Sequence, residues 1–212
     1  MQDNFFAYLY AFSINLRVGL GACLTGIVIG FCLVITKQNV PYTNKLIATV
    51  ISIMRAFPFY ILIFILLGAL GSSVLLESLT PSVRLEIILI LAIAGFAAPA
   101  CADLFTTFFE HRRHGEIEQS YLIVPNLFGV FIVSLICSSA GAAIGVHEAV
   151  NFTRWYIESL DSRWERIAIT FLSTLFFVLT LLFLKYVVQQ TFQYFMKKRL
   201  ESSSININKV SN

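Results

Sequence analysis

Charge is what this sequence has least of. Only 13% of its 212 residues are charged, against 58% hydrophobic, where a soluble domain carries about 25% charged residues. A water-facing globular body is excluded. The four cysteines, Cys23, Cys32, Cys101 and Cys137, all sit inside apolar runs without a C-x-x-C pair or a histidine at ligand spacing, and read as packed thiols. Neither a basic n-region nor a small-residue cleavage site follows Met1-Gln2-Asp3-Asn4, so no removable signal peptide is expected. Nothing resembles a phosphate-binding loop, a catalytic triad or an H-E-x-x-H zinc site. The expectation is a chain that is not an enzyme, with no cofactor, no metal and no nucleic-acid partner.

What is there is length of apolar chain. A helix needs about 20 mostly apolar residues to cross roughly 30 Å of hydrocarbon, and five runs qualify: 14–35, 46–70, 87–109, 121–146 and 167–188. The expected fold is an all-α membrane protein of five transmembrane helices. Residues 1–200 form a single transmembrane domain, and the Ser- and Asn-rich stretch 201–212 is expected to be a disordered tail.

Polar residues inside these runs stand out because each has to be satisfied. Arg55 lies within the second run, three residues before Pro58. An arginine there costs a few kcal/mol unless it pairs, faces a polar cavity or snorkels to the headgroups, while Pro58 removes a backbone donor and kinks the helix. Asp103, in the third run, is either a functional acid or the neutralising partner of Arg17 or Arg55. Gly26-x-x-x-Gly30 in the first run and the small residues from Cys137 to Ala143 in the fourth suit close helix packing. His147 to Arg166 mixes aromatics with both signs of charge and reads as a short helix on the membrane face. His111 and His114 flank Arg112 and Arg113, an arrangement that fits a basic membrane-facing loop better than a metal site.

Two segments carry a recognisable pattern. The first reads Ala102-Asp103-Leu104-Phe105 and continues, after an interval, to Gly115-Glu116-Ile117-Glu118-Gln119-Ser120. The second runs from Ser138-Ser139-Ala140-Gly141 to Ile144-Gly145-Val146-His147-Glu148. Together they resemble the membrane-spanning permease subunits of bacterial ABC importers, most closely the polar amino-acid uptake family, with a length like that of methionine importers. In that family an A-E-x-F segment ends one span, a cytoplasmic G-Q-x-E-A-A run follows, and an S-x-x-x-x-I-G-V-x-E-L run closes the next. Arg55 and Pro58 resemble the R-x-x-P of the family's second helix. Here Glu118-Gln119-Ser120 stands for E-A-A and is followed directly by Tyr121-Leu122-Ile123-Val124-Pro125. The coupling loop is therefore shortened, without the family's Gly and most of its coupling helix.

The resemblance implies a type I importer permease that forms the pathway with a second permease subunit, the same chain or a sister. A cytoplasmic ABC ATPase would supply the energy and a periplasmic amino-acid-binding protein the substrate. It also implies roles. Gly115, Glu118, Gln119 and Ser120 would touch the ATPase, Arg55, Pro58 and Asp103 would shape or gate the pathway, and Ser139, Gly141 and Gly145 would form a close-packed helix interface. The shortened loop leaves an alternative open, a degenerate non-transporting or regulatory subunit that needs a full-length sister.

Orientation follows from charge alone. Lys37, Lys45, Arg112, Arg113, Lys197, Lys198, Arg199 and Lys209 gather on one side, and Arg84, Arg154, Arg163 and Arg166 on the other, among acids. The positive-inside rule places the N-terminus outside and the C-terminus in the cytoplasm. The expected location is the bacterial inner membrane, among lipid.

Overall fold

The structure is a computed structural model that describes residues 2 to 210, and the described residues are helical with no strand. Among the described residues nine α-helices follow in order: α1 (Gln2–Asn39), α2 (Asn44–Ala56), α3 (Phe59–Leu70), α4 (Val74–Glu77), α5 (Pro81–Arg113), α6 (Ile117–Ser120), α7 (Ile123–Ser138), α8 (Ala149–Glu158) and α9 (Arg163–Val210). Four helical stretches among the described residues are long and apolar enough to cross a membrane, and five if the bent pair α2 and α3 counts as one. That agrees with the five apolar runs. The chain divides into two units, Met1–Ser173 and Thr174–Asn212.

In the first unit α5 lies at the centre. Its residues Ile88, Leu89, Ala92, Ile93, Ala94, Ala97, Ala98, Cys101 and Ala102 are all buried. Small side chains on this face admit α1 at close range. A Cβ added to Gly30 would stand 2.7 Å from Cys101 Cβ and 2.8 Å from both Ala102 N and Ala98 O. Only glycine fits there. Contact between backbones is the packing that hydrocarbon surroundings favour, because apolar side chains gain little by leaving lipid for protein. Ile14, Val18 and Ala22 of α1, Ile63 of α3, Leu89, Ala92 and Ile93 of α5, and Ala140 and Val146 complete the core.

The second apolar run is a broken helix. Pro58 has no N–H to give to the preceding turn and forces the residue before it out of helical geometry. Phe57 accordingly sits at φ −74°, ψ 121°, and α2 and α3 meet at 101°. The fourth run departs from a uniform span in another way. Its α-helix stops at Ser138 and tightens into a 3-10 segment, Ser139–Ile144, which ends at Gly145 with φ +86°.

The stretch between the fourth and fifth runs contains α8, the short aromatic helix expected there. The stretch 71–84 contains α4. The second unit is the remainder of α9, and its helix continues to Val210, through the Ser- and Asn-rich residues expected to be disordered; Ser211 and Asn212 lie outside the described residues.

Candidate functional site

The break between α2 and α3 carries the first cluster. Arg55 lies one residue from the end of α2, and its Nη2 donates to Asp103 Oδ2 of α5 at 2.7 Å. Of the two partners open to Asp103 by sequence, the structure brings Arg55. Arg17 instead donates from Nη2 to both oxygens of Glu86, each at 2.7 Å. The Arg55 and Asp103 side chains are 56% and 64% exposed, so the pair is not buried among packed side chains. Pro58 stands beside it in sequence and makes the bend.

The second cluster is the turn from α5 into α6. The N–H of His114 donates to Glu110 O at 3.1 Å and that of Glu116 to His111 O at 2.9 Å, while Gly115 takes φ +76°. This left-handed residue at a helix C-terminus is the conformation for which glycine carries no steric penalty. His111 Nδ1 lies 2.6 Å from Glu116 Oε2 and tightens the turn from the side-chain direction. Glu118 and Gln119 are exposed on α6. Ser120 is turned inward, 2% exposed, with its hydroxyl donating to Ile117 O at 2.6 Å.

Ser139, Gly141 and Gly145 come together in the 3-10 segment and its end. Gly141 is buried, and an added Cβ would meet Leu89 Cδ2 of α5 at 2.8 Å and Val146 Cβ at 3.0 Å. Ser139 is partly exposed and donates to Ile136 O at 2.6 Å. Gly145 is exposed.

At this end Asn15 was not singled out from sequence, and Glu148 only as the acid that closes the second motif segment, without a role. The Glu148 side chain is 1% exposed and Asn15 0%. Glu148 Oε2 accepts from Asn15 Nδ2 and from the Val150 N–H, both at 2.9 Å, and Oε1 accepts from the Asn151 N–H at 3.0 Å. Two orphan donors at the start of α8 are thereby capped. Asn15 Nδ2 also reaches Ser138 Oγ at 2.9 Å, and its Oδ1 accepts from the Ala149 N–H at 2.9 Å. Burial pushes the Glu148 carboxyl up from its ordinary value, against the Val150 N–H, the Asn15 amide and the Asn151 N–H, which hold it down. The signal was in the sequence: an acid directly before a helix, and an amide within an apolar run.

Among the described residues no group of three metal-ligating side chains comes together. The clusters are thus an exposed ion pair at a helix break, an exposed turn that carries Arg112 and Arg113 beside Glu116 and Glu118, and a buried polar clasp.

No family model matches the sequence, and no curated protein does. Solved structures do match. A chain of the crystal structure of an amino acid ABC transporter with histidines superposes with a TM-score of 0.73 at 15% identity, over 92% of this chain and 96% of that one. A chain of the MetNI methionine ABC transporter in an inward-facing conformation gives 0.57 at 15% identity, over 91% and 94%. This is the fold of an ABC transporter chain. The resemblance to importer permeases read from the two motif segments is therefore borne out at the level of fold, across nearly the whole length.

Proposed function

We propose that this chain is a permease subunit of an ABC importer for amino acids in the bacterial inner membrane. The observation that carries this reading is the superposition over 92% of the chain on a chain of an amino acid ABC transporter. Residues 1–200 form the permease domain, and the last residues lie beyond it. The N-terminus is outside and the C-terminus cytoplasmic, as the distribution of Lys and Arg favours. The pathway forms between this subunit and a second permease, the same chain or a sister. A periplasmic binding protein delivers the amino acid.

The chain carries out no hydrolysis; a cytoplasmic ATPase does. Gly115, Glu118, Gln119 and Ser120 make up the contact with it, the glycine turning the chain, Ser120 anchoring the turn and the two exposed side chains meeting the motor. Arg55, Pro58 and Asp103 shape the pathway at the broken helix. Ser139, Gly141 and Gly145 keep the end of the fourth span close-packed.

The test is co-purification of the solubilised full chain from its own membranes, with and without Glu118→Ala. Recovery of an ATPase that the substitution abolishes supports the reading. If no ATPase is recovered, or one arrives only with a longer sister permease and is indifferent to Glu118, the chain is a non-transporting partner.

A further inference from the structure

The Arg55–Asp103 pair combines features that a purely structural ion pair does not need. Arg55 lies eleven residues into α2 and Asp103 ten residues before the end of α5. Counted from the ends of the apolar runs 46–70 and 87–109, Arg55 stands nine residues and Asp103 six residues inside, about 14 Å and 9 Å at 1.5 Å per residue, within a hydrocarbon layer roughly 30 Å thick. Both side chains are nevertheless more than half exposed. Exposed charges at that depth are too costly to face lipid, and in membrane proteins they line a polar cavity or a pathway. The pair also sits where the helix is broken, and irregular backbone at membrane depth is tolerated where it lines such a space.

Its bonding is incomplete. The contact joins one guanidinium nitrogen to one carboxylate oxygen, whereas a guanidinium has five N–H donors and a carboxylate about four acceptor sites. A cation and an anion held side by side, each with sites to spare, match the carboxylate and ammonium of an α-amino acid. We infer that the Arg55–Asp103 pair is the place where the pathway holds the zwitterionic head of its substrate, the carboxylate on Arg55 and the ammonium on Asp103. The inference rests on the reading of the chain as an amino-acid permease subunit. It reads only the part that all α-amino acids share. The pair therefore passes different amino acids and leaves selection by side chain to another component.

The experiment uses the full chain with its co-purifying partners in lipid nanodiscs and measures equilibrium binding of four probes: L-histidine, L-alanine, N-acetyl-L-histidine and L-histidinamide. The two free amino acids are expected to bind, and the two blocked derivatives at least about tenfold more weakly, since each has lost one charge-assisted hydrogen-bonding group. The double variant Arg55→Met with Asp103→Leu removes both charges together and leaves no unpaired one. It should fold and keep its partners yet bind L-histidine at least about tenfold more weakly than the parent. The inference is overturned if the parent binds neither free amino acid, if the blocked derivatives bind equally well, or if the double variant binds L-histidine within twofold of the parent. A parent that recovers its ATPase but shows any of these results sinks the zwitterion site alone. A parent that recovers no ATPase sinks the transport reading itself.

Discussion

Asn15 and Glu148, 133 residues apart in sequence, are joined at 2.9 Å in the interior. Asn15 Oδ1 accepts from the Ala149 N–H next door at 2.9 Å, so one amide in α1 closes both the acid and the backbone at the start of α8. This clasp fixes the chain as it leaves the fourth span. Asn15→Leu keeps the approximate size but leaves the Ala149 N–H without its acceptor and Glu148 without one donor. Buried polar groups stripped of partners cost about 1–3 kcal/mol each, so a loss of about 2–4 kcal/mol is expected, read as a lower unfolding midpoint in detergent. An unchanged midpoint would show that the clasp is dispensable.

The same carboxyl makes a pH prediction. Burial raises the Glu148 pKa above its ordinary value despite the three donors around it. The folded state therefore binds the proton more tightly than the unfolded state. Its contribution to stability is fully present below the unfolded value, near 4.3, and is lost as pH rises through the folded value. Glu148→Gln does not titrate and has one acceptor oxygen in place of two, so its NH2 group meets either the Asn151 N–H or the Val150 N–H and Asn15 amide, and it is less stable. The parent's advantage over the variant should shrink as pH is raised from 4 and become constant once the folded carboxyl has ionised. Midpoints of both proteins across that range measure it, and an advantage that grows with pH contradicts the assignment.

Much of this was legible in the sequence, for identifiable reasons. The apolar runs announced the spans because hydrocarbon demands continuous stretches, and Pro58 announced the break because its missing N–H acts locally. Gly30 in its G-x-x-x-G spacing announced a close helix approach. The partner of Asp103 was open between Arg17 and Arg55, since the choice depends on which helix lies beside α5 at that level. Glu86 takes Arg17 and thereby leaves Asp103 to Arg55. Asn15 stood as an amide within an apolar run, but what satisfies it was not legible, because its partners are supplied by the far end of the chain. The inward turn of Ser120 was equally hidden, because four residues of helix have no pattern from which to read a buried face.

Arg84 holds the connection between α3 and α5. Its Nη1 donates to Gly71 O at 2.8 Å, Nε to Leu76 O at 3.2 Å and Nη2 to Glu77 O at 3.4 Å. One planar group thus bonds Gly71 O just past α3 together with Leu76 O and Glu77 O in α4, a span that the single ammonium of lysine cannot reproduce. Arg84→Lys should cost about 1 kcal/mol locally without unfolding the bundle. Hydrogen exchange at amides 71–80 is then expected to speed up about fivefold while α5 stays protected. Equal exchange in the two proteins would mean that α4 holds itself.

Gly30 and Gly129 offer a paired test of how this bundle is held together. Both lie within helices, and alanine is intrinsically better than glycine in a helix by about 1 kcal/mol. Around Gly129 an added Cβ meets nothing within 4 Å, whereas at Gly30 it falls 2.8 Å from the α5 backbone at Ala98 O and Ala102 N. Backbone cannot move aside like the tip of a side chain, so α1 and α5 would have to separate along their contact. Gly129→Ala should leave the unfolding midpoint unchanged or raise it. Gly30→Ala should lower it through a loss of about 1–3 kcal/mol of stability, the usual cost of overpacking, and Gly30→Val should lower it further. If Gly30→Ala instead behaves like Gly129→Ala, the close approach of α1 to α5 is not what stabilises the fold.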